Sequence, residues 1–323
     1  MTRILAYRFS AFGDVAMTVP VFREFLEQNP GVEIIMVSRK NFEALFTGLP
    51  NVKFKGIDLD DYKGFFGLRK LSNELIQEFN PDCIANLHDV IRTKILDKIY
   101  VRKGLKVFKI DKGKEEKEHL TDVWNLEKVQ LKRTVERYAD VFRKIGFKVE
   151  LSNQLRPLSD HKSGIGFAPF AQHKGKMLPL EKSFELARIL AQKHTVYFFG
   201  GGKQETETLQ KWEQQIPNTK SLSGKLSLSE ELNKIAELEV MISMDSANMH
   251  LASLVGTRCV SIWGATHPYA GFLGFGQKEE DVIQVEDLTC RPCSVFGDKE
   301  CYRGDWACLE EFDIQKVVDR INL

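Results

Sequence analysis

The chain has 323 residues, with 46 Lys and Arg against 45 Asp and Glu and a formal net charge of +1 at pH 7. At about 150 residues per domain this is a two-domain length, and so even a charge balance is unlike that of a whole-chain polyanion binder, which is strongly basic. With 43% apolar and 28% charged residues, the composition is that of a soluble globular protein rather than a disordered, collagenous or disulfide-framework chain.

No membrane span is expected: the apolar stretch from Val240 to Thr257 is broken by Asp245 and His250, which a bilayer would have to bury. Arg3 and Arg8 bracket an apolar run too short for a signal-peptide core. The chain is therefore expected to begin near Met1 and to stay in the cytosol.

The pattern of the first half is strand, glycine-bearing turn, helix, repeated. Arg3–Phe9, Val32–Val37, Val52–Ile57, Cys83–Leu87 and Lys106–Ile110 read as strands. Between them Val15–Gln28, Asn41–Thr47, Phe65–Phe79 and Arg92–Tyr100 read as helices. Residues 111–132 are highly charged and read as a solvated loop, or as a mobile flap over a site. A helix over Thr134–Ile145 follows, and residues 149–162, with Pro, Ser and Asn, read as a linker. The alternation then restarts. Strands are expected at Gly164–Phe170, Thr195–Phe199, Lys220–Leu222, Val240–Ser243 and Cys259–Trp263. Helices are expected at Leu180–Lys193, Glu205–Gln215, Ser227–Ala236, Asn248–Leu254 and Ile314–Ile321. Two α/β units of similar size, 1–158 and 159–323, imply two facing Rossmann-like domains with a cleft between them, and ligands at the carboxyl ends of parallel strands.

Five places at strand ends carry residues able to do chemistry. In Ser10-Ala11-Phe12-Gly13-Asp14, Gly13 permits close backbone approach, and Asp14 is either a helix N-cap or a general base for a hydroxyl nucleophile. The spacing is not G-x-G-x-x-G, so no dinucleotide fingerprint is present. At Asp245-Ser246 a strand gives way to a helix whose amides, with the Ser246 hydroxyl, suit a phosphate. Asp245 would repel that phosphate, so it is read as a cap or as a partner of a sugar hydroxyl. His250, one turn on, is either structural or a ligand contact. Gly264-Ala265-Thr266 is an ordinary tight turn or an anion-approaching one. Lys176 is either a solvated charge or a cleft-facing cation, and Glu205, after Gly201-Gly202, is either a helix-start carboxylate or a ribose acceptor. Together they would put a base in one half and cations with helix N-termini in the other, which is what displacement of a pyrophosphate leaving group needs.

Cys83 and Cys259 lie in strand-like runs and read as buried thiols. Cys290, Cys293, Cys301 and Cys308 form a C-x2-C-x7-C-x6-C cluster, with three readings: a tetrahedral zinc site, unliganded packing, or reversible disulfides. Asp58-Leu59-Asp60 is a nominal Asp-x-Asp metal pair, but it falls in the first half, away from the expected phosphate site.

In order along the chain stand Arg8–Pro20 (RFSAFGDVAMTVP), Asn86–Thr93 (NLHDVIRT), Lys176–Pro179 (KMLP), Gly201–Glu207 (GGKQETE), Leu222–Leu228 (LSGKLSL), and Asp245–Ala252 with Gly264–Thr266 (DSANMHLA, GAT). This ordered set, which covers nearly the whole chain, resembles the bacterial heptosyltransferases of glycosyltransferase family 9, builders of the lipopolysaccharide inner core. The resemblance implies a GT-B fold and an inverting transfer from a nucleotide-diphosphate sugar, typically ADP-heptose; with Lys176 and backbone amides to offset the diphosphate charge, neither a metal nor a cofactor is expected. It makes Asp14 the base, Lys176 the donor-phosphate lysine and Glu205 the ribose acid. Asp245, Ser246, His250, Gly264, Ala265 and Thr266 become donor contacts and the first half holds the acceptor, for which Gly13, His88, Arg69 and Arg92 are the candidate contacts. Three departures stand out: Asn86 where the family often has Asp, no Trp at Met177 or Leu178, and Asp245-Ser246-Ala247 in place of D-[ST]-G.

Lys63, Arg69, Lys70 and Arg92, with Phe65 and Phe66, form either a solvated helix face or a surface for an anionic lipid-linked saccharide at the inner membrane. Rival functions are a GT-B enzyme with another donor, an epimerase, or a non-catalytic nucleotide or glycan binder. Charge balance and the lack of a basic–aromatic motif argue against a nucleic-acid partner.

Overall fold

The computed structural model describes residues 1–321. Its residue contacts divide the chain into two units: Met1–Lys112 with Thr134–Ser152, and Gly113–Arg133 with Asn153–Leu323.

The first unit runs β1 (Thr2–Tyr7), α1 (Phe12–Ala16), α2 (Thr18–Gln28), β2 (Val32–Arg39), β3 (Val52–Ile57), α3 (Gly64–Phe79), β4 (Cys83–Asn86), α4 (Ile91–Arg102) and β5 (Lys106–Lys109). The charged helix α5 (Lys114–Leu120) belongs to the second unit, and α6 (Thr134–Ile145) returns to the first. All strands of the first sheet are parallel, in the order β3-β2-β1-β4-β5. A parallel sheet covered on both faces demands strands apolar on both sides, and Ile4 through Tyr7 and Ile34 through Val37 are all buried. Leu68, Leu71 and Leu75 of α3 and Leu96, Ile99 and Tyr100 of α4 close one face.

The second unit contains β6 (Ile165–Ala168), α7 (Leu180–Leu190), β7 (Val196–Phe198), α8 (Gly202–Gln215), β8 (Thr219–Ser221), α9 (Leu228–Ala236), β9 (Val240–Met244), α10 (Ala247–Leu254), β10 (Cys259–Ile262), β11 (Val282–Ile283), α11 (Ala307–Glu310) and α12 (Gln315–Ile321). Its six parallel strands are ordered β11-β10-β9-β6-β7-β8. Phe167, Phe198, Leu186, Leu190, Trp212, Ile242 and Val260 lie in its core.

Three local expectations are corrected. The helix expected from Val15 starts at Phe12 and breaks at Met17, because Pro20 has no N–H to continue the ladder and tolerates only a first helical turn. Asn41–Thr47 is not an α-helix; Lys40–Phe46 forms a 3-10 helix instead. The charged stretch 111–132 is not simply a solvated loop. Its helix α5 buries Lys117 with Nζ 4.3 Å from the Phe272 ring centroid, and Leu120 packs with Leu131 and Ala270. The i, i+3 spacing of Lys117 and Leu120 puts both on one face, hidden in the sequence by the charges around them.

Candidate active site

In a parallel α/β sheet the strand order reverses at one point, and there the connections leave in opposite directions and open a crevice at the carboxyl edge. In the first sheet that point lies between β1 and β4, in the second between β6 and β9. Gly13, Asp14, His88 and Arg92 follow the two strands at the first, and Lys176, Asp245, Ser246 and His250 those at the second, while Glu205 follows β7, Gly264–Thr266 follow β10 and Arg69 lies on α3 after β3.

In the first unit the chain leaves β1 through buried Arg8. Its Nη2 lies 2.7 Å from Asp14 Oδ2 in the first turn of α1, its Nη1 donates to Leu87 O at 2.6 Å beyond β4, and its guanidinium lies over the Tyr138 ring. The Tyr138 hydroxyl donates to Asp14 O at 3.2 Å, and the Ala11 N–H donates to Asp14 Oδ2 at 3.3 Å. Asp14 is thus clamped at side chain and backbone at the strand-to-helix turn, next to Gly13. His88 is buried. Its Nδ1 accepts the Phe9 N–H at 3.4 Å, which leaves the proton on Nε2, 3.3 Å from Ser10 Oγ. Burial, then the nearby Arg8 charge, pushes the imidazole pKa down to about 3, so His88 is a neutral bracket between the ends of β1 and β4.

Asn86 holds the turn below His88. Its Oδ1 accepts the N–H groups of His88 and Asp89, and its Nδ2 donates to Asp97 Oδ2 at 2.8 Å. The Tyr7 hydroxyl donates to the other Asp97 oxygen. Burial, opposed by these two hydrogen bonds, raises the Asp97 carboxyl above its ordinary range. An aspartate at position 86 has no N–H to offer Asp97, so the departure at Asn86 matches the carboxylate beneath it.

In the second unit Lys176 follows β6, and its Nζ lies 2.8 Å from Asp245 Oδ2 at the end of β9. The same oxygen accepts the Thr266 hydroxyl at 2.8 Å from the turn after β10. Asp245 therefore joins three strand ends. It does not cap α10, whose N-cap is Ser246; the Ser246 hydroxyl meets Ser243 Oγ at 3.1 Å. His250 is buried one turn into α10. The Gly264–Thr266 turn packs backbone to backbone against Gly175: the Ala265 N–H donates to Gly175 O at 2.8 Å, and a Cβ on Gly264 would lie 2.6 Å from that oxygen. Only glycine permits that approach. Glu205, in the first turn of α8, accepts the Gly201 N–H at 2.7 Å.

Arg69 is exposed on α3, and Arg92 is half-buried in the first turn of α4. Both helices follow strands of the first sheet, so their N-termini stand at its carboxyl edge with exposed Phe65, Phe66 and Ile91. Asp58 and Asp60 do not present paired carboxylates: Asp58 accepts the Asp60 N–H, and Asp60 pairs with Lys63 at 3.0 Å. All six cysteines are free thiols; Cys290, Cys293, Cys301 and Cys308 line one small cavity. Among the described residues no three His, Cys, Asp or Glu side chains are gathered so as to hold a metal ion, and no helix is long and apolar enough to cross a membrane.

Two contributors were missed in the sequence. Asp97 sits on α4 between apolar Leu96 and buried Ile99, and a carboxylate in such a stripe is its signal. Arg291, buried behind the Gly264–Thr266 turn, lies in Cys290-Arg291-Pro292-Cys293, where a charge flanked by thiols is the signal.

The sequence model of glycosyltransferase family 9 (heptosyltransferase) matches residues 98–302. The chain belongs to this family. It is 26% identical over 321 residues to lipooligosaccharide heptosyltransferase 2 of Campylobacter jejuni, covering 95% of this chain and 93% of that protein. Among solved structures, the family 9 glycosyltransferase of Veillonella parvula superposes with a TM-score of 0.74 at 17% identity, covering 99% and 96% of the two chains. The E. coli ADP-heptose lps heptosyltransferase II gives 0.70 at 19%, covering 100% and 98%. The expected GT-B fold of this family 9 heptosyltransferase is borne out by its two parallel α/β sheets and these neighbours.

Proposed function

We propose that this family 9 enzyme transfers heptose from ADP-heptose to an anionic, lipid-linked lipopolysaccharide core acceptor by a single inverting displacement that needs no metal. Residues 1–158 form the acceptor domain in this reading and residues 159–323 the donor domain, with Asp14 as the base. The observation that carries it is the pair of strand-end constellations: Asp14 held by Arg8 at one switch point, and Lys176, Asp245 and Thr266 joined at the other.

The chemistry follows from the charges. A guanidinium 2.7 Å from Asp14 favours the carboxylate over the acid, as a general base requires. Asp14 takes the acceptor hydroxyl proton as the oxygen attacks the anomeric carbon, and the diphosphate departs. One base suffices for inversion, whereas retention would need a second carboxylate as nucleophile. The leaving diphosphate meets Lys176, the N-terminus of α10 at Ser246, and the amides of Gly264 and Thr266. Glu205 holds the ribose, and His250 and Asp245 face the sugar. Gly13, His88, Arg69 and Arg92 serve the acceptor. Phe65, Phe66 and Ile91, with Lys63 and Lys70, rest on the cytoplasmic face of the inner membrane.

Asp14→Asn tests the reading. Turnover of ADP-heptose should fall by about 10²–10⁴ while ADP affinity stays unchanged; retained turnover removes Asp14 as the base. The product anomer, followed by NMR in EDTA, decides inversion and metal independence. Stabilisation by a UDP-, GDP- or dTDP-sugar but not by ADP-heptose would assign another donor.

A further inference from the structure

Arg291 is 6% exposed, and its guanidinium donates almost entirely to backbone. Nε donates to Gly264 O, Nη2 to Trp263 O at 3.3 Å and Thr266 O at 2.9 Å, and Nη1 to Val285 O at 2.7 Å. The remaining carbonyl of the turn, Ala265 O, accepts the N–H groups of Cys293 and Ser294 at 3.1 and 3.3 Å. Four consecutive carbonyls, 263 to 266, are thus drawn toward the segment 291–294. A trans peptide sets each N–H opposite the preceding C=O. The N–H groups of Gly264 to His267 are therefore turned to the other side; that of Ala265 is taken by Gly175 O at 2.8 Å, and those of Gly264, Thr266 and His267 remain for a ligand, beside the Thr266 hydroxyl that goes to Asp245.

The charge of Arg291 is unbalanced as well. Among the described residues no carboxylate lies within ion-pair distance of it, and Glu286 acts on it only from beyond that distance. Burial pushes the thiols of Cys293 and Cys308 up, Cys308 to about 12, so neither offers a thiolate at neutral pH. A buried guanidinium with no carboxylate in direct contact is costly, and an anion on the far side of the turn would relieve that cost.

We propose that Arg291 is the positioning residue for the donor diphosphate: it aims the Gly264, Thr266 and His267 amides of the turn and supplies the buried positive charge that the diphosphate balances. This rests on the reading that the turn receives the donor diphosphate. Lysine keeps the charge but cannot bond several carbonyls as a planar fork; glutamine loses both.

The test is calorimetric titration of ADP and of adenosine into the full-length wild type, Arg291→Lys and Arg291→Gln, at two salt concentrations. ADP affinity should fall about tenfold in Arg291→Lys and further in Arg291→Gln, the charge-assisted bonds at stake being individually strong. Adenosine affinity should stay within twofold, and the salt dependence of ADP binding should weaken in Arg291→Gln. A purely structural role would lower the unfolding temperature and leave the ADP-to-adenosine affinity ratio unchanged; that result overturns the proposal. If neither variant folds, hydrogen exchange on the wild type decides. ADP should slow exchange in 263–267 and 284–294 together, and protection absent from 284–294 overturns the proposal. A wild type that binds no ADP overturns the donor reading too, and so is distinct from failure of Arg291 alone.

Discussion

Replacing Lys176 with Met leaves Asp245 without its cation while preserving most of the stem's packing. The side chains of the pair are 16% and 4% exposed at 2.8 Å, so screening is weak, and breaking one side of such a pair costs about 3–5 kcal/mol. The Thr266 hydroxyl still donates to Asp245, a bond worth about 1.5–3 kcal/mol to a charged acceptor, which favours the lower end, about 3 kcal/mol. For a unit of this size each kcal/mol moves the midpoint by about 2–4 °C, so Lys176→Met should lower Tm by about 6–12 °C. The double variant Lys176→Met/Asp245→Asn removes both charges and leaves an amide for Thr266; it should recover most of that loss, a coupling of about 2 kcal/mol. Circular dichroism melts of the wild type, both singles and the double measure it. ADP titration adds a second readout: Lys176→Met should weaken ADP binding, and Asp245→Asn, which releases the ammonium, should not. A single variant within 2 °C of wild type, or a double no more stable than Lys176→Met, would refute the reasoning.

Stability should fall on acidification because of two histidines. His88 and His267 are held by burial at about 3 and about 4 against 6.5 when free. Below 6.5 the unfolded chain binds protons that the native one refuses, so stability is full above 6.5 and is lost as pH falls toward those values, by about 1.4 kcal/mol per unit per histidine. Urea midpoints at pH 7 and pH 5 should differ by less in His88→Gln than in wild type; equal slopes would contradict a buried neutral imidazole. At the first sheet's edge, Phe66 and Ile91 are 80% and 81% exposed beside Lys63, Arg69 and Lys70. Phe65→Ser/Phe66→Ser should reduce sedimentation with anionic vesicles at least tenfold, given about 1.5–3 kcal/mol per buried aromatic ring. Unchanged sedimentation would leave this face a solvated one.

The alternation of strands and helices was legible because parallel strands buried on both faces are continuous apolar runs, as at Ile4–Tyr7 and Val240–Met244. The strand ends were legible for a related reason: glycine and small polar residues interrupt those runs, so Gly13, Ser246 and Gly264 mark the turns. The pairings made across strand ends were not. In the sequence Arg8 only brackets the apolar run of β1, and the fold brings it to Asp14. Asp245 read as a helix cap or sugar acid, because its partners Lys176 and Thr266 lie 69 residues before it and 21 after it. The two-residue strand β11 and the four-residue helix α11 are too short for periodicity to register. The burial of Lys117 was masked by its charge, although its methylene stem suits a packed face.

The whole-chain charge of +1 conceals which strand ends are electrostatically complete. Arg8 is matched by Asp14 and Lys176 by Asp245, in each case with N···O at 2.7–2.8 Å. Arg291 alone among these three cations has no carboxylate partner within the described residues, and its charge lies behind the turn beside the Lys176–Asp245 pair. The Arg8–Asp14 pair is balanced, so on the proposed reading it offers the acceptor hydroxyl a carboxylate and offers a diphosphate no net positive charge. The charge of Arg291 behind the turn after β10, together with the α10 N-terminus, would suit that diphosphate. Charge placement thus supports the proposal that the base lies in the first unit and that the leaving diphosphate meets the second. Arg291→Glu would reverse the sign of that excess and should abolish ADP binding while sparing the environment of Asp14.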